Sequence, residues 1–220
     1  MLFENRREAG KKLGQNLRRR QLGGNLIVLA LPRGGVPVGY EVAASLGAPM
    51  DLFMVRKLGA PGVPELAMGA VATGGVCVRN ESVIEEMGIT EAELENSSRQ
   101  AAEELSRKEK EYRGNRRASD LRGRTAILVD DGLATGSSML ASVSAAKSFQ
   151  PARLVVAVPV ASKEISRKLE SEVDELVCLA NPEPFNEVGR WYSDFVQTTD
   201  GEVRRLLERN ALEQSMAARP

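Results

Sequence analysis

Residues 126–142 read AILVDDGLATGSSMLAS, and this stretch decides the fold. Ala126 to Val129 is a short apolar run, the mark of a strand buried on both faces. Two adjacent acids, Asp130 and Asp131, end it. A turn of small residues then opens into a helix: Gly132, Ala134 and Gly136 allow close backbone approach, while Thr135, Ser137 and Ser138 add hydroxyls. The unsatisfied amides of a helix start form an anion site, so the geometry asks for a phosphate. Beside a phosphate, Asp130 and Asp131 would repel it unless they hold sugar hydroxyls or act through a divalent cation. The lysine of a nucleotide-binding P-loop is missing, and so is the G-x-G-x-x-G of dinucleotide sites. One acid here would read as a helix N-cap; two acids before a six-residue cradle do not.

Upstream, residues 29–43 (LALPRGGVPVGYEVA) repeat the strand–turn–helix plan. Arg33 offers a guanidinium fork and Gly34 and Gly35 bare amides, a combination suited to a pyrophosphate. In residues 53–75 (FMVRKLGAPGVPELAMGAVATGG) a strand ends in Arg56 and Lys57 and is followed by Gly, Pro and Ala. Such composition fits a mobile lid, with Glu65 its sole ionisable side chain; an apolar strand over 66–73 is equally admissible. Residues 181–199 hold the single Trp, two of the five Phe and one of the three Tyr, which suggests a pocket wall or a flap packed on the core.

Farther out, apolar runs at 26–31, 51–55, 154–158 and 173–178 read as further strands. Between most of them lie amphipathic helices, at 36–46, 137–149 and 162–169. The alternation predicts an α/β fold, a parallel sheet with helices on both faces and ligands beyond the carboxyl ends of the strands. Asn80 caps a short helix stopping at Gly88, and Thr90 with Glu93 forms a capping box for a polar helix reaching about Arg113. Its one apolar stripe, Leu94, Ala101, Leu105 and Tyr112, either lies along the domain or seats a second copy, so a homodimer stays open.

The 220 residues carry 30 Lys plus Arg, 30 Asp plus Glu and no histidine, which excludes Ser-His-Asp and Cys-His chemistry. Cys77 and Cys178 form no C-x-x-C pair, so structural zinc is not expected. A formal net charge of zero gives no overall reason to expect nucleic acid as a partner. No leader or membrane-spanning run is visible, and a soluble, cytoplasmic protein is expected.

VDDGLATGSS resembles the signature of the type I phosphoribosyltransferases, an apolar strand, two acids and a turn of the form x-x-[ST]-x-G-x-[ST]. The resemblance implies a Mg²⁺-dependent transfer of phosphoribosyl from phosphoribosyl pyrophosphate (PRPP) to a nitrogenous acceptor, a nucleobase above all. Asp130 and Asp131 would contact the ribose hydroxyls with Mg²⁺ nearby, and Leu133, Ala134, Thr135, Gly136, Ser137 and Ser138 the 5′-phosphate. Arg33, Gly34 and Gly35 would form the pyrophosphate loop, joined by Arg56 or Lys57 from the start of the family's flexible loop. Residues 178–195 resemble the segment that hoods the base in purine-type members; Phe185 and then Trp191 would stack on it, and Asp194 would lie near the metal. Gly132 departs from the pattern, since many members carry a bulky apolar residue there. The whole chain, 1–220, is then one phosphoribosyltransferase domain. Its core spans about 24–180, its helical insertion 80–118, and its hood comes from the N-terminal residues and 181–200. The rival reading is a PRPP-sensing regulator without catalysis, suggested by the sparse lid and by a basic cluster of Arg113, Arg116, Arg117, Arg122 and Arg124. A sugar-phosphate hydrolase is a third, which the arginine-glycine turn favours less.

Overall fold

The computed structural model describes residues 1–217. Three apolar runs become fully covered strands: β1 (Leu26–Ala30), β6 (Thr125–Val129) and β7 (Arg153–Val160). With β2 (Met50–Leu52) and β8 (Glu175–Ala180) they form an all-parallel sheet in the order β2-β1-β6-β7-β8. Successive residues of β1 point to opposite faces. Val28 and Ala30 join a core with Leu13, Leu17, Val42, Val203 and Leu206, whereas Ile27 and Leu29 join one with Met139, Val143, Ile165 and Leu169. Helices α1 (Arg6–Arg19), α2 (Gly35–Leu46) and α7 (Asp200–Ala217) therefore cover one face, and α5 (Ser137–Lys147) and α6 (Lys163–Glu170) the other. The chain leaves β1 toward β2 on one side and β6 toward β7 on the other. The crevice between β1 and β6 is the switch point where α/β sheets bind ligands.

Between β2 and β6 the chain builds a second, antiparallel sheet of β3 (Val55–Ala60), β4 (Val63–Ala72) and β5 (Val76–Arg79), then helices α3 (Glu81–Met87) and α4 (Glu91–Arg113). The strand expected at 51–55 is thus divided between two sheets. It breaks at Met54, whose N–H donates to Thr73 Oγ1 at 2.8 Å and draws the chain off the parallel sheet. The helices expected over 80–118 are α3 and α4, and the antiparallel strands precede them from Val55. Residues 59–75, expected as a lid or a strand, are mostly hairpin, turning at Pro61–Gly62 with Gly62 at φ +75°. Met68 and Val71 are buried with Val83, Ile84, Leu94 and Ala101, while Tyr112 joins the core of the parallel sheet and Leu105 is also buried, so the apolar stripe of α4 is covered within the chain and is not free to seat a second copy. An apolar core under the hairpin predicts slow amide exchange over 66–72 in the free protein. Hydrogen exchange read by mass spectrometry checks this; rapid exchange there would restore the lid.

The far end of α4 is fixed by a buried ion pair. Arg113 Nε donates to Asp51 Oδ1 at 2.7 Å and its Nη1 to Glu109 Oε1 at 2.7 Å, and Asp51 Oδ2 accepts from the Ser119 N–H at 2.8 Å. The Arg113 and Asp51 side chains are only 4% and 10% exposed. Among the described residues no helix is long and apolar enough to cross a membrane.

Candidate active site

Register brings the two turns together. Ala30 of β1 pairs with Val129 of β6, and Leu31 N–H donates to Val129 O at 2.9 Å, so both strands end at one level. The arginine-glycine turn then lies directly against the acids. A Cβ on Gly34 would overlap the Asp131 carboxylate, and one on Gly35 would stand 2.6 Å from Val129 O and 2.9 Å from Asp130 Cα. Glycine is required at both positions by this approach. The bare amides expected of this turn are partly engaged, because Gly35 N–H donates to Leu31 O at 3.0 Å. Arg33 points away from the acids, and its Nη1 lies 3.6 Å from Asp200 Oδ1 at the start of α7. Asp200 also accepts from Tyr112 Oη at 2.6 Å, a bond that lowers its carboxyl pKa.

Leu133 differs from the other residues of the expected cradle. Leu133 N–H donates to Val160 O at 2.9 Å, whereas the N–H groups of Ala134, Thr135, Gly136, Ser137 and Ser138 have no partner among the described residues. Gly136 is left-handed, at φ +64°, and is pressed against Ile165, so a side chain is excluded twice over. Ser162 Oγ steadies the loop by donating to Ala134 O at 3.0 Å. Five open amides at the start of α5 are donors of the kind that meet an anion.

Asp130 Oδ1 accepts the Asp131 N–H at 2.9 Å. Burial, reinforced by the neighbouring charge of Asp131, pushes the Asp130 carboxyl well above the usual range. Burial also raises Asp131, with Arg6 opposing it. Two features of this pair were invisible in the sequence. Arg6, the first residue of α1, donates from Nε to Asp131 Oδ2 at 2.7 Å. Tyr192 donates from its hydroxyl to Asp131 O at 2.5 Å. The aromatic run at 181–199 was a signal for Tyr192; nothing local marks Arg6.

The aromatics gather as one cluster of Phe3, Tyr192, Phe185, Val188, Trp191 and Phe195 over Val160. Phe185 and Trp191 meet in a tilted pair, with ring centroids 6.0 Å and planes 36° apart. Trp191 O accepts the N–H groups of Leu2 and Phe3 at 2.9 and 3.0 Å, and its indole N–H is buried without a partner among the described residues. Val188 fits against Gly132, where a Cβ would lie 2.6 Å from the valine methyl.

Other predicted residues lie apart from the acids. Arg56 pairs with Glu104 of α4 at 2.6 Å. Lys57 lines a cavity of about 500 Å³ between the antiparallel sheet and α5, which reaches the cradle at Ser137. Asp194 is exposed and borders a smaller cavity with Arg6 and Arg7. Among the described residues no three Asp, Glu, Cys or His side chains gather as a preformed metal site. The basic cluster also disperses. Arg113 is buried against Asp51, and Arg124 donates from Nη2 to Leu26 O at 2.7 Å near the start of β1.

The switch point of the parallel sheet thus carries an acidic pair, a turn with open amides and an arginine-glycine turn. Residues 3–191 match the family described as Phosphoribosyl transferase domain, and the chain belongs to that family. It is 43% identical over 209 residues to the Mycobacterium tuberculosis H37Rv protein named "Putative phosphoribosyl transferase Rv0571c", covering 94% of this chain and 47% of that protein. The same figures hold for MT0597 of strain CDC 1551. The chain thus spans about half the length of these curated relatives. Among solved structures, TT1426 from Thermus thermophilus is 41% identical, superposes with a TM-score of 0.87, and covers 95% of this chain and 99% of its own.

Proposed function

We propose that the chain transfers the 5-phosphoribosyl group of PRPP to a nitrogen of a flat acceptor, a nucleobase, with release of pyrophosphate. The observation that carries this reading is the juxtaposition of the acidic pair with five open amides of the cradle, across a turn where only glycine fits. The amides of 134–138 would take the 5′-phosphate, and the acids the ribose hydroxyls. The C1–oxygen bond breaks with its electron pair leaving on pyrophosphate as the C1–nitrogen bond forms, and the proton of the acceptor nitrogen passes to the released pyrophosphate or to water. The transition state is oxocarbenium-like, so fixed charges and positioning rather than a histidine supply the acceleration. Family membership supports this reading, and a chain without histidine is compatible with it, because no step needs an imidazole.

Mg²⁺ suits the donors present. It typically takes one or two carboxylates and completes its shell with substrate oxygens and water, and Asp130 and Asp131 are hard oxygen donors at the strand end. When bound, it supplies charge neutralisation for the departing pyrophosphate. Arg33 would need to leave Asp200 to reach that group. This contact is between half-exposed side chains and costs little to break.

The test is pyrophosphate release from PRPP and Mg²⁺ across a panel of nucleobases, with Phe185→Ala and Trp191→Ala alongside. Stacking on a base is worth about 1–3 kcal/mol, so each substitution is expected to weaken acceptor affinity roughly five- to 150-fold and to leave PRPP affinity nearly unchanged. A panel in which no base provokes release would count against the transfer. A lower melting temperature with unaltered acceptor kinetics would make the two aromatics a latch for the N-terminal segment.

A further inference from the structure

Arg6 belongs to neither phosphate turn, yet its guanidinium rests on the acids. Three contacts fix it: Nε donates to Asp131 Oδ2 at 2.7 Å, Nη1 donates to Val196 O at 2.7 Å, and Cζ lies 3.7 Å from the centre of the Phe195 ring. The Arg6 and Asp131 side chains are 12% and 13% exposed. The direction of the side chain is built in, because Asn5 caps α1 by accepting the Glu8 N–H at 3.0 Å, and Phe3 bridges to Tyr192. A guanidinium keeps its charge at every accessible pH. The acidic pair therefore carries an internal counter-ion on the atom that a metal would otherwise use.

We propose that Arg6 is a positioning residue that competes with a divalent cation for Asp131, keeping the metal-binding strength of the free protein low and tying the aromatic hood to the acids until the cation displaces it. This inference rests on the reading of Asp130 and Asp131 as the metal and ribose acids. Two like charges sharing one carboxylate oxygen repel, so occupancy by either weakens the other. Phe195 and Val196 hold the other side of the guanidinium, and its departure from Asp131 removes one of the links between the hood and the strand end, leaving the Tyr192 bond to Asp131 O and the Val188–Gly132 contact.

The test is titration of the whole chain with Mn²⁺ alone, following free Mn²⁺ by electron paramagnetic resonance, with no substrate present. Arg6→Gln is expected to tighten Mn²⁺ binding about ten- to 100-fold, the factor that loss of one charge-assisted contact corresponds to. Arg6→Lys, which keeps the charge, should stay near the parent. Phe195→Leu leaves α1 intact and removes the face on which the guanidinium lies; it should shift binding in the same direction by a smaller factor, and it serves if Arg6→Gln does not fold. A merely structural arginine would give no tightening in any variant. Equal or weaker Mn²⁺ binding in Arg6→Gln and Phe195→Leu overturns the proposal, as does a gain that survives Asp130→Asn with Asp131→Asn. Failure of the transfer reading would look different: the parent would bind no PRPP in calorimetry, whatever the Mn²⁺ result.

Discussion

Asp130→Asn with Asp131→Asn is expected to weaken PRPP binding at least about 100-fold, since two charge-assisted contacts to sugar hydroxyls or metal are lost together. Calorimetry with Mg²⁺ reads the loss, and an affinity within about threefold of the parent would remove the acids from the site. The single change Asp130→Asn separates binding from folding. Burial and the charge of Asp131 raise the Asp130 pKa in the fold, so the folded state holds this proton more tightly than the unfolded chain does. Its contribution to stability is complete below the ordinary carboxylate range, near about pH 4, and is lost as pH rises through the raised value. The amide that replaces Asp130 in the variant has no proton to lose over this range. Denaturant midpoints measured from about pH 4 to 8 should therefore fall less steeply with rising pH in the variant. An unchanged slope would mean that Asp130 is ionised and solvated in the free protein.

Arg113→Met should destabilise the fold by about 3–5 kcal/mol, the usual result of leaving a buried charge without its partner. For a chain of this length that corresponds to a fall in melting temperature of roughly 6–20 °C. Asp51 would retain the N–H groups of Leu52 and Ser119, at 2.7 and 2.8 Å, but lose its counter-charge. Converting Asp51→Leu with Arg113→Met should cost less than the single change, because only Glu109, whose side chain is 17% exposed, is left without its partner. Thermal denaturation of the parent and both variants decides the matter. A loss below about 1 kcal/mol in Arg113→Met would show that water reaches the pair.

The parts of the molecule that were legible in the sequence are those whose logic is local. The acidic turn and the arginine-glycine turn are each contained in one short strand–turn–helix stretch, and the Thr90–Glu93 capping box declares itself within a single helical turn. Hairpin β3–β4 was ambiguous because Gly, Pro and Ala suit a mobile loop as well as a tightly packed strand. Only its burial under α3 and α4 separates the two. Arg113 and Arg124 looked like members of a solvated basic face; carboxylate and carbonyl partners, Asp51 62 residues from Arg113 and Leu26 98 from Arg124, give them interior roles. Arg6 and Asp131 are 125 residues apart, and no spacing rule connects them.

Gly132 and Val188 have a consequence for how this site can change. Beside the Tyr192 bond to the Asp131 carbonyl, the strand-end turn and the aromatic cluster touch through a valine methyl seated in the space that a Cβ at 132 would fill, with Val160 closing the same space at 2.9 Å. Volume at these positions is shared. A residue larger than glycine at 132 has to be matched by smaller ones at both 188 and 160, or else the aromatic cluster is pushed outward and Tyr192 is drawn off the Asp131 carbonyl. The spacing between the strand-end turn and the aromatic cluster is thus set jointly by three residues, and drift at any one is confined by the other two.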